Sequence, residues 1–193
     1  SVIKKFKKPI IISSGMALKK DVKQTVKFLN LDKKKLAILH CVSDYPTEIK
    51  NSYLSNINDL KSLGYTVGFS DHTIGIEASC SAVSLGARII EKHITLDRKM
   101  IGPDHRSSLE CEKLKNFISK IQDINYSTFI SKRKITLEEE KTQKVAKKSL
   151  YFFRDMQKNQ IIEFKDLIPL RPFKGGFSPD KYKFLLGKKL KKS

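Results

Sequence analysis

Four times in its first 121 residues the chain repeats one design. A short apolar run ends in small polar residues and is followed by a helical stretch. KPIIISSG (8–15) leads into LKKDVKQTVKFLN (18–30), and LAILHCVSDYPT (36–47) into a looser helical stretch near 54–63. TVGFSDHT (66–73) leads into the small-residue stretch IEASCSAVSLGA (76–87), and RIIEKHIT (88–95), after a loop, into LECEKLKNFISKI (109–121). Repetition at this spacing predicts right-handed βαβ units and a parallel sheet. Continuous apolar runs suit strands covered on both faces. Ser13, Ser14, Ser43, Ser70, His72 and His93 all fall at or just past the C-terminal end of a run. That is the end at which a TIM barrel, or any open α/β sheet, carries its active site. Four units make half of an eight-fold barrel. An open four-stranded sheet is the alternative. The start, SVIKKFKKPIIISSGM, has no initiator Met and enters a strand pattern almost at once. Together these features point to an α/β fold that is the C-terminal half of a (β/α)8 barrel, over residues 1–121.

The pattern then changes. Residues 122–143 lack a clear apolar period and read as a linker. From 144 to 193, VAKKSLYFF and NQIIEFKDLIPLRPF are short β-like runs around polar turns, and KGGFSPDKY supplies Gly-Gly and Ser-Pro turn chemistry. This predicts a small, separate β-rich domain.

Composition narrows the partners. The formal net charge is +19, but most of the positive charge is Lys scattered along the chain. The few Arg do not cluster, and no interleaving of aromatic and basic residues suggests RNA binding. Solvated lysine-rich faces account for the charge, and no nucleic-acid partner is expected. The three cysteines, Cys41, Cys80 and Cys111, form no CxxC and no disulfide framework, which suits a reducing cytoplasm. No apolar run has the length of a membrane span and no signal peptide is visible, so no membrane partner is expected.

Side chains alternate across a strand. In GFSDHT, Ser70 and His72 share one face and Asp71 takes the other. In IIEKHIT, Glu91 and His93 share a face while Lys92 points away. Adjacent strands lie about 4.8 Å apart, so His72 and His93 can converge on one metal ion if both faces turn inward. A single strand-end histidine is ordinarily structural. Two on successive strands, each beside a polar partner, suit Mn²⁺, Fe²⁺ or Zn²⁺ with oxygen ligands completing the shell. Such an ion can act as a Lewis acid on a carbonyl. His40, inside a run, and His105, in a loop, read as structural. Ser13, Ser14 and Ser43 either hold a phosphate with nearby N–H groups or are ordinary turn serines. Asp104 binds a hydroxylated substrate or caps a turn. Ser107 or Ser108 reads as the N-cap of the 109–121 helix.

Taken together, KPIIISSGMA, LHCVSDYPT, GFSDHTIGIEAS, AVSLGARIIEKHITLD and GPDHRSSLE resemble the N-acetylneuraminate (sialic acid) synthase family, which includes legionaminic and pseudaminic acid synthases. VAKKSLYFF, DLIPLRP and LLGKK resemble the start of that family's antifreeze-like (SAF) domain. The resemblance implies a transferase. Phosphoenolpyruvate condenses with an open-chain acylamino sugar such as N-acetylmannosamine, giving a nine-carbon α-keto acid and phosphate. It implies a divalent metal, Mn²⁺ or Mg²⁺, on His72 and His93, with these and Glu91 as catalytic residues. It also implies phosphoenolpyruvate contacts from Ser13, Ser43 and Ser70, and sugar contacts from Tyr45, Glu91, Asp104 and Arg171. Further implications are a cytoplasmic enzyme of cell-surface carbohydrate biosynthesis and a domain-swapped homodimer in the full-length family. The family's first four barrel strands have no counterpart here, so the chain reads as a fragment, inactive alone, with its N-terminal half missing. Two alternatives stand beside this reading: another phosphoenolpyruvate aldol-type synthase of keto-sugar acids, and a non-catalytic basic binding protein.

Overall fold

The structure, a computed structural model, describes residues 2–129 and 133–192. The chain divides into two compact units, residues 1–130 and 131–193.

The first unit is built on a four-stranded parallel sheet. Its strands are β1 (Ile10–Ser13), β2 (Leu36–Cys41), β3 (Thr66–Asp71) and β4 (Ile90–Lys92), in the order β1-β2-β3-β4. Helices α1 (Lys19–Leu29), α2 (Asn56–Lys61) and α3 (Glu77–Ser84) connect them. Each new strand adds beside the last, as strands do around a TIM barrel, whereas a doubly wound sheet reverses direction midway. The four expected runs and the first three expected helices are therefore present in the expected order, and the fourth helix follows them with a later start, at Leu114 rather than residue 109.

The core lies between the sheet and its helices. On α1, Val22, Val26 and Leu29 recur every three to four residues and form one buried stripe. They meet Ile10, Ile38, Val67 and Phe69 from the strands, with Ile57 and Leu60 from α2 and Ala78 and Ala82 from α3. Ile38 and Ile57 are fully buried; burying each contributes about 1.5–3 kcal/mol. On the opposite face of the sheet the strands approach closely. A Cβ on Gly68 would stand 2.4 Å from Leu39 Cδ2 and 2.5 Å from the Ile89 carbonyl oxygen. Only glycine fits there.

The fourth unit departs from expectation. Leu109–Glu110 does not begin a helix. It forms a strand, β6, parallel to β5 (Ile94–Thr95). The Leu109 amide donates to the His93 carbonyl at 2.8 Å, and the Leu109 side chain is buried, so tertiary pairing overrides helical propensity. Ser107 and Ser108 do not cap a helix. Their buried hydroxyls donate to the Asp104 carbonyl at 2.9 and 2.7 Å. A single 3-10 turn, Cys111–Lys113, then leads into α4 (Leu114–Phe129).

The stretch 122–143 is largely helical. Its first part completes α4, where Leu114, Phe117, Ile121 and Ile124 keep an apolar stripe at helical spacing. Its last part enters α5 (Leu137–Ala146). A capping box starts α5: the Glu139 amide donates to Thr136 Oγ1 at 3.2 Å, and the Thr136 amide to Glu139 Oε2 at 2.9 Å. Glu138, Glu139 and Glu140 in the first turn suit the positive end of the helix dipole.

In the second unit, α5 is followed by an antiparallel pair, β7 (Ser149–Phe152) and β8 (Leu167–Leu170). Met156 and Ile162 are buried, as is Asp166. Arg154 Nε donates to Asp166 Oδ1 at 2.9 Å and the Glu163 amide to Oδ2 at 2.9 Å. These bonds hold the Asp166 carboxyl below its ordinary range, the Glu163 amide being the main cause.

Candidate active site

Parallel register decides which residues share a face. Cys41 lies beside Ser70, and Ser70 beside Glu91. This row projects from the sheet face opposite the helices. Ser70 is buried and its hydroxyl donates to Glu91 Oε1 at 2.6 Å. One step further along the strands, on the same face, stand His72 and His93.

The two imidazoles meet edge to face, with ring centroids 5.2 Å apart. Tyr45, from the loop after β2, packs against both, at 4.1 Å from His72 and 5.9 Å from His93. Asp104 Oδ2 lies 3.8 Å from His93 Nδ1. Tyr45, His72, His93 and Asp104 thus form one cluster, with Ser70 and Glu91 just below.

His72 is the most firmly held member. Its Nδ1 lies 2.7 Å from the Val42 carbonyl, which assigns the proton to Nδ1 and leaves the Nε2 lone pair free. Its own carbonyl accepts from the Thr47 amide at 3.0 Å. An imidazole whose Nδ1–H is fixed by a carbonyl is the usual arrangement of a metal-binding histidine. Beside it, His93 offers a second nitrogen. The donor set fits a borderline divalent cation taking two imidazoles, with water or substrate oxygens in its other positions. Among the described residues no group of three or more His, Cys, Asp or Glu side chains is arranged around a common point.

The serines lie in two places. Ser13 ends β1 in register with Leu39, and is exposed. Ser43 follows β2 and is also exposed. The turn after β1 runs against it, since a Cβ on Gly15 would stand 2.2 Å from Ser43 Oγ. Arg171, at the end of β8, belongs to the second unit and is exposed.

His40 and His105 are held elsewhere. His40 Nε2 bonds the Ser52 carbonyl at 2.7 Å and its ring stacks on Phe69. Burial pushes its pKa down, with Ser52 partly opposing, so the ring is neutral at pH 7. His105 Nδ1 pairs with Thr95 Oγ1 at 2.8 Å.

Sequence reasoning overlooked Cys41 and the network behind the site. Cys41 Sγ is 4.0 Å from His72 Nδ1. Burial raises its pKa, with the nearby Ser70 and Ser43 hydroxyls partly opposing, so it remains a thiol. The face that Cys41 takes follows from its register with Ser70, a tertiary fact. Asp71 and Lys92 form a buried ion pair at 2.9 Å on the other face. The alternation had each pointing away from the pocket; that they point at each other depends on pairing β3 with β4.

Residues 1–133 match the NeuB family. Over 190 residues the chain is 36% identical to N,N'-diacetyllegionaminic acid synthase of Campylobacter jejuni, covering 96% of this chain and 57% of that protein. A pseudaminic acid synthase of the same species is 34% identical over 99% of this chain and 56% of that protein. The N-acetylneuraminate-9-phosphate synthase of Drosophila melanogaster is 39% identical over 62% of this chain and 33% of that one. A crystal structure of N-acetylneuraminic acid synthetase from Leptospira borgpetersenii, in complex with citrate, superposes with a TM-score of 0.61 at 34% identity, covering 68% of this chain and 47% of that chain. A putative spore coat polysaccharide biosynthesis protein E from Chromobacterium violaceum shares the fold, with a TM-score of 0.72 at 20% identity over 96% of this chain and 58% of that one. The chain spans about half the length of the relatives it matches.

Proposed function

The chain belongs to the NeuB family, and from that premise we propose that it carries the strand-end active-site residues of a nonulosonic (sialic-type) acid synthase. The reaction joins C3 of phosphoenolpyruvate to the aldehyde carbon of an N-acetylmannosamine-type sugar. Water adds at C2, and phosphate leaves with its bridging oxygen, giving a nine-carbon α-keto acid. The observation that carries this reading is the convergence of His72 and His93 on one face, above the Ser70–Glu91 pair. Because the chain spans about half of its relatives, the activity, substrates and partners of the whole protein all belong to this proposal.

A divalent ion, Mn²⁺ or Mg²⁺, held by His72 and His93 would supply Lewis-acid polarisation of the sugar aldehyde. The other roles fall to the chain's own groups. Ser70, Ser13 and Ser43 offer hydroxyls to the phosphate and carboxylate of phosphoenolpyruvate. Glu91 and Asp104 accept hydrogen bonds from sugar hydroxyls, and Tyr45 presents its ring and phenol beside them. Burial raises the Tyr45 pKa, with Cys41 and Asp104 adding to the shift, so the phenol is a donor at neutral pH. Arg171, from a second unit proposed to be antifreeze-like, would bind the sugar, in the full-length family from the partner of a swapped homodimer. A cytoplasmic setting is part of the same proposal. No helix among the described residues is long and apolar enough to cross a membrane. Relatives named as sialic-type acid synthases do not favour a different keto-sugar acid synthase or a non-catalytic basic binding protein.

Titration with Mn²⁺, followed by the electron spin resonance of the free ion, tests the site. The unaltered chain is expected to bind, with affinity falling at least about ten-fold in His72→Ala and in His93→Ala. Equal affinity in all three proteins overturns the metal assignment.

A further inference from the structure

Asp71 and Lys92 each stand immediately before a histidine of the candidate site, Asp71 before His72 and Lys92 before His93. The two are register partners across β3 and β4, and their side chains lie on the helix-facing side, 0% and 3% exposed. Lys92 Nζ donates to Asp71 Oδ2 at 2.9 Å and to the Thr73 carbonyl at 2.8 Å. The ammonium therefore grips the chain on both sides of His72. The Asp71 carboxylate is fully engaged as well: Oδ1 accepts from the Thr73 amide and hydroxyl at 2.8 and 2.7 Å, and Oδ2 from Ser79 of α3 at 2.6 Å.

A buried ion pair contributes little net stability, because desolvating both charges offsets their attraction. This one needs another reason to be where it is. Strand β4 has only three residues, so the register near its end rests on few backbone bonds. The pair ties the ends of β3 and β4 together one residue short of the two imidazoles. We propose that Asp71 and Lys92 are a positioning pair that sets the separation and orientation of His72 and His93 from the back of the sheet. The inference rests on the metal-binding reading of the two histidines, and concerns how their geometry is held.

The test uses the full chain and Mn²⁺ alone, with thermal midpoint measured in parallel. Lys92→Met leaves a buried carboxylate without its partner, so it is expected to lose both stability and about 10- to 100-fold in Mn²⁺ affinity. Asp71→Asn combined with Lys92→Met removes both charges and is expected to regain much of the lost midpoint while its Mn²⁺ affinity stays low. Recovery of affinity along with stability in that double variant overturns the inference, since the pair would then be merely structural. If neither protein folds, Ser79→Ala decides. It removes one of the two hydrogen bonds to Asp71 Oδ2, leaves the one from Lys92 in place and keeps both charges, so a few-fold weaker Mn²⁺ binding supports positioning and unchanged binding overturns it. Failure of the unaltered chain to bind Mn²⁺ instead overturns the metal reading, and this inference with it.

Discussion

His40 and His72, on neighbouring strands, are similarly buried, at 3% and 5% exposed, but are held for different chemistry. The first is held by Phe69 and the Ser52 carbonyl on the helix side, the second packs against Tyr45 and His93 with Nδ1 on the Val42 carbonyl and, among the described residues, no hydrogen bond to Nε2. His40 has a folded-state pKa below its ordinary 6.5. The folded state therefore binds fewer protons than the unfolded chain as pH falls past 6.5, and stability is lost in that direction. Urea midpoints are expected to drop as pH falls below 6.5, and to drop less in His40→Asn. An identical pH dependence in the two proteins would contradict the buried neutral ring. Strand alternation was enough to pair Ser70 with His72 and Glu91 with His93. It could not reveal that Val42 fixes the His72 tautomer, because a backbone carbonyl leaves no mark in composition.

The strands were the most legible elements, since each is a continuous apolar run closed by polar residues. The helix after the fourth strand was misplaced, because Leu109–Glu110 takes its structure from pairing with Ile94–Thr95, a contact to residues 15 positions away in sequence. The 122–143 stretch reads as a linker because Gln, Asp, Asn, Ser, Lys and Glu outnumber its apolar residues and leave no clear period. Only Ile124 of the α4 stripe falls inside it, so the helical spacing shows only when Leu114, Phe117 and Ile121 before it are counted. Two substitutions probe how the sheet is held. Gly68→Ala places a methyl into Leu39 and the Ile89 carbonyl, and is expected to cost about 2–3 kcal/mol; a loss under about 0.5 kcal/mol in chemical denaturation would show that the strands can part. Ile57→Ala removes a fully buried side chain from the helix layer, with an expected loss of about 2–5 kcal/mol.

Across the whole chain the excess of positive charge is the dominant electrostatic fact. At +19 the folded chain repels itself, and salt relieves this by shortening the screening length from about 30 Å at 0.01 M to about 10 Å at 0.1 M. The thermal midpoint is expected to rise over that range by calorimetry; a flat or falling midpoint would mean that local ion pairs outweigh the net charge. The order of strands, the face that carries the polar residues, and the family could all be read from residue order, because period-two alternation and repeated strand–helix units are local properties of the chain. The meeting of His72 with His93, the inward turn of Cys41, and the closure of Asp71 on Lys92 were decided by tertiary structure. Each depends on the register of one strand against another, and register is set by the packing of whole elements, a quantity no local stretch contains.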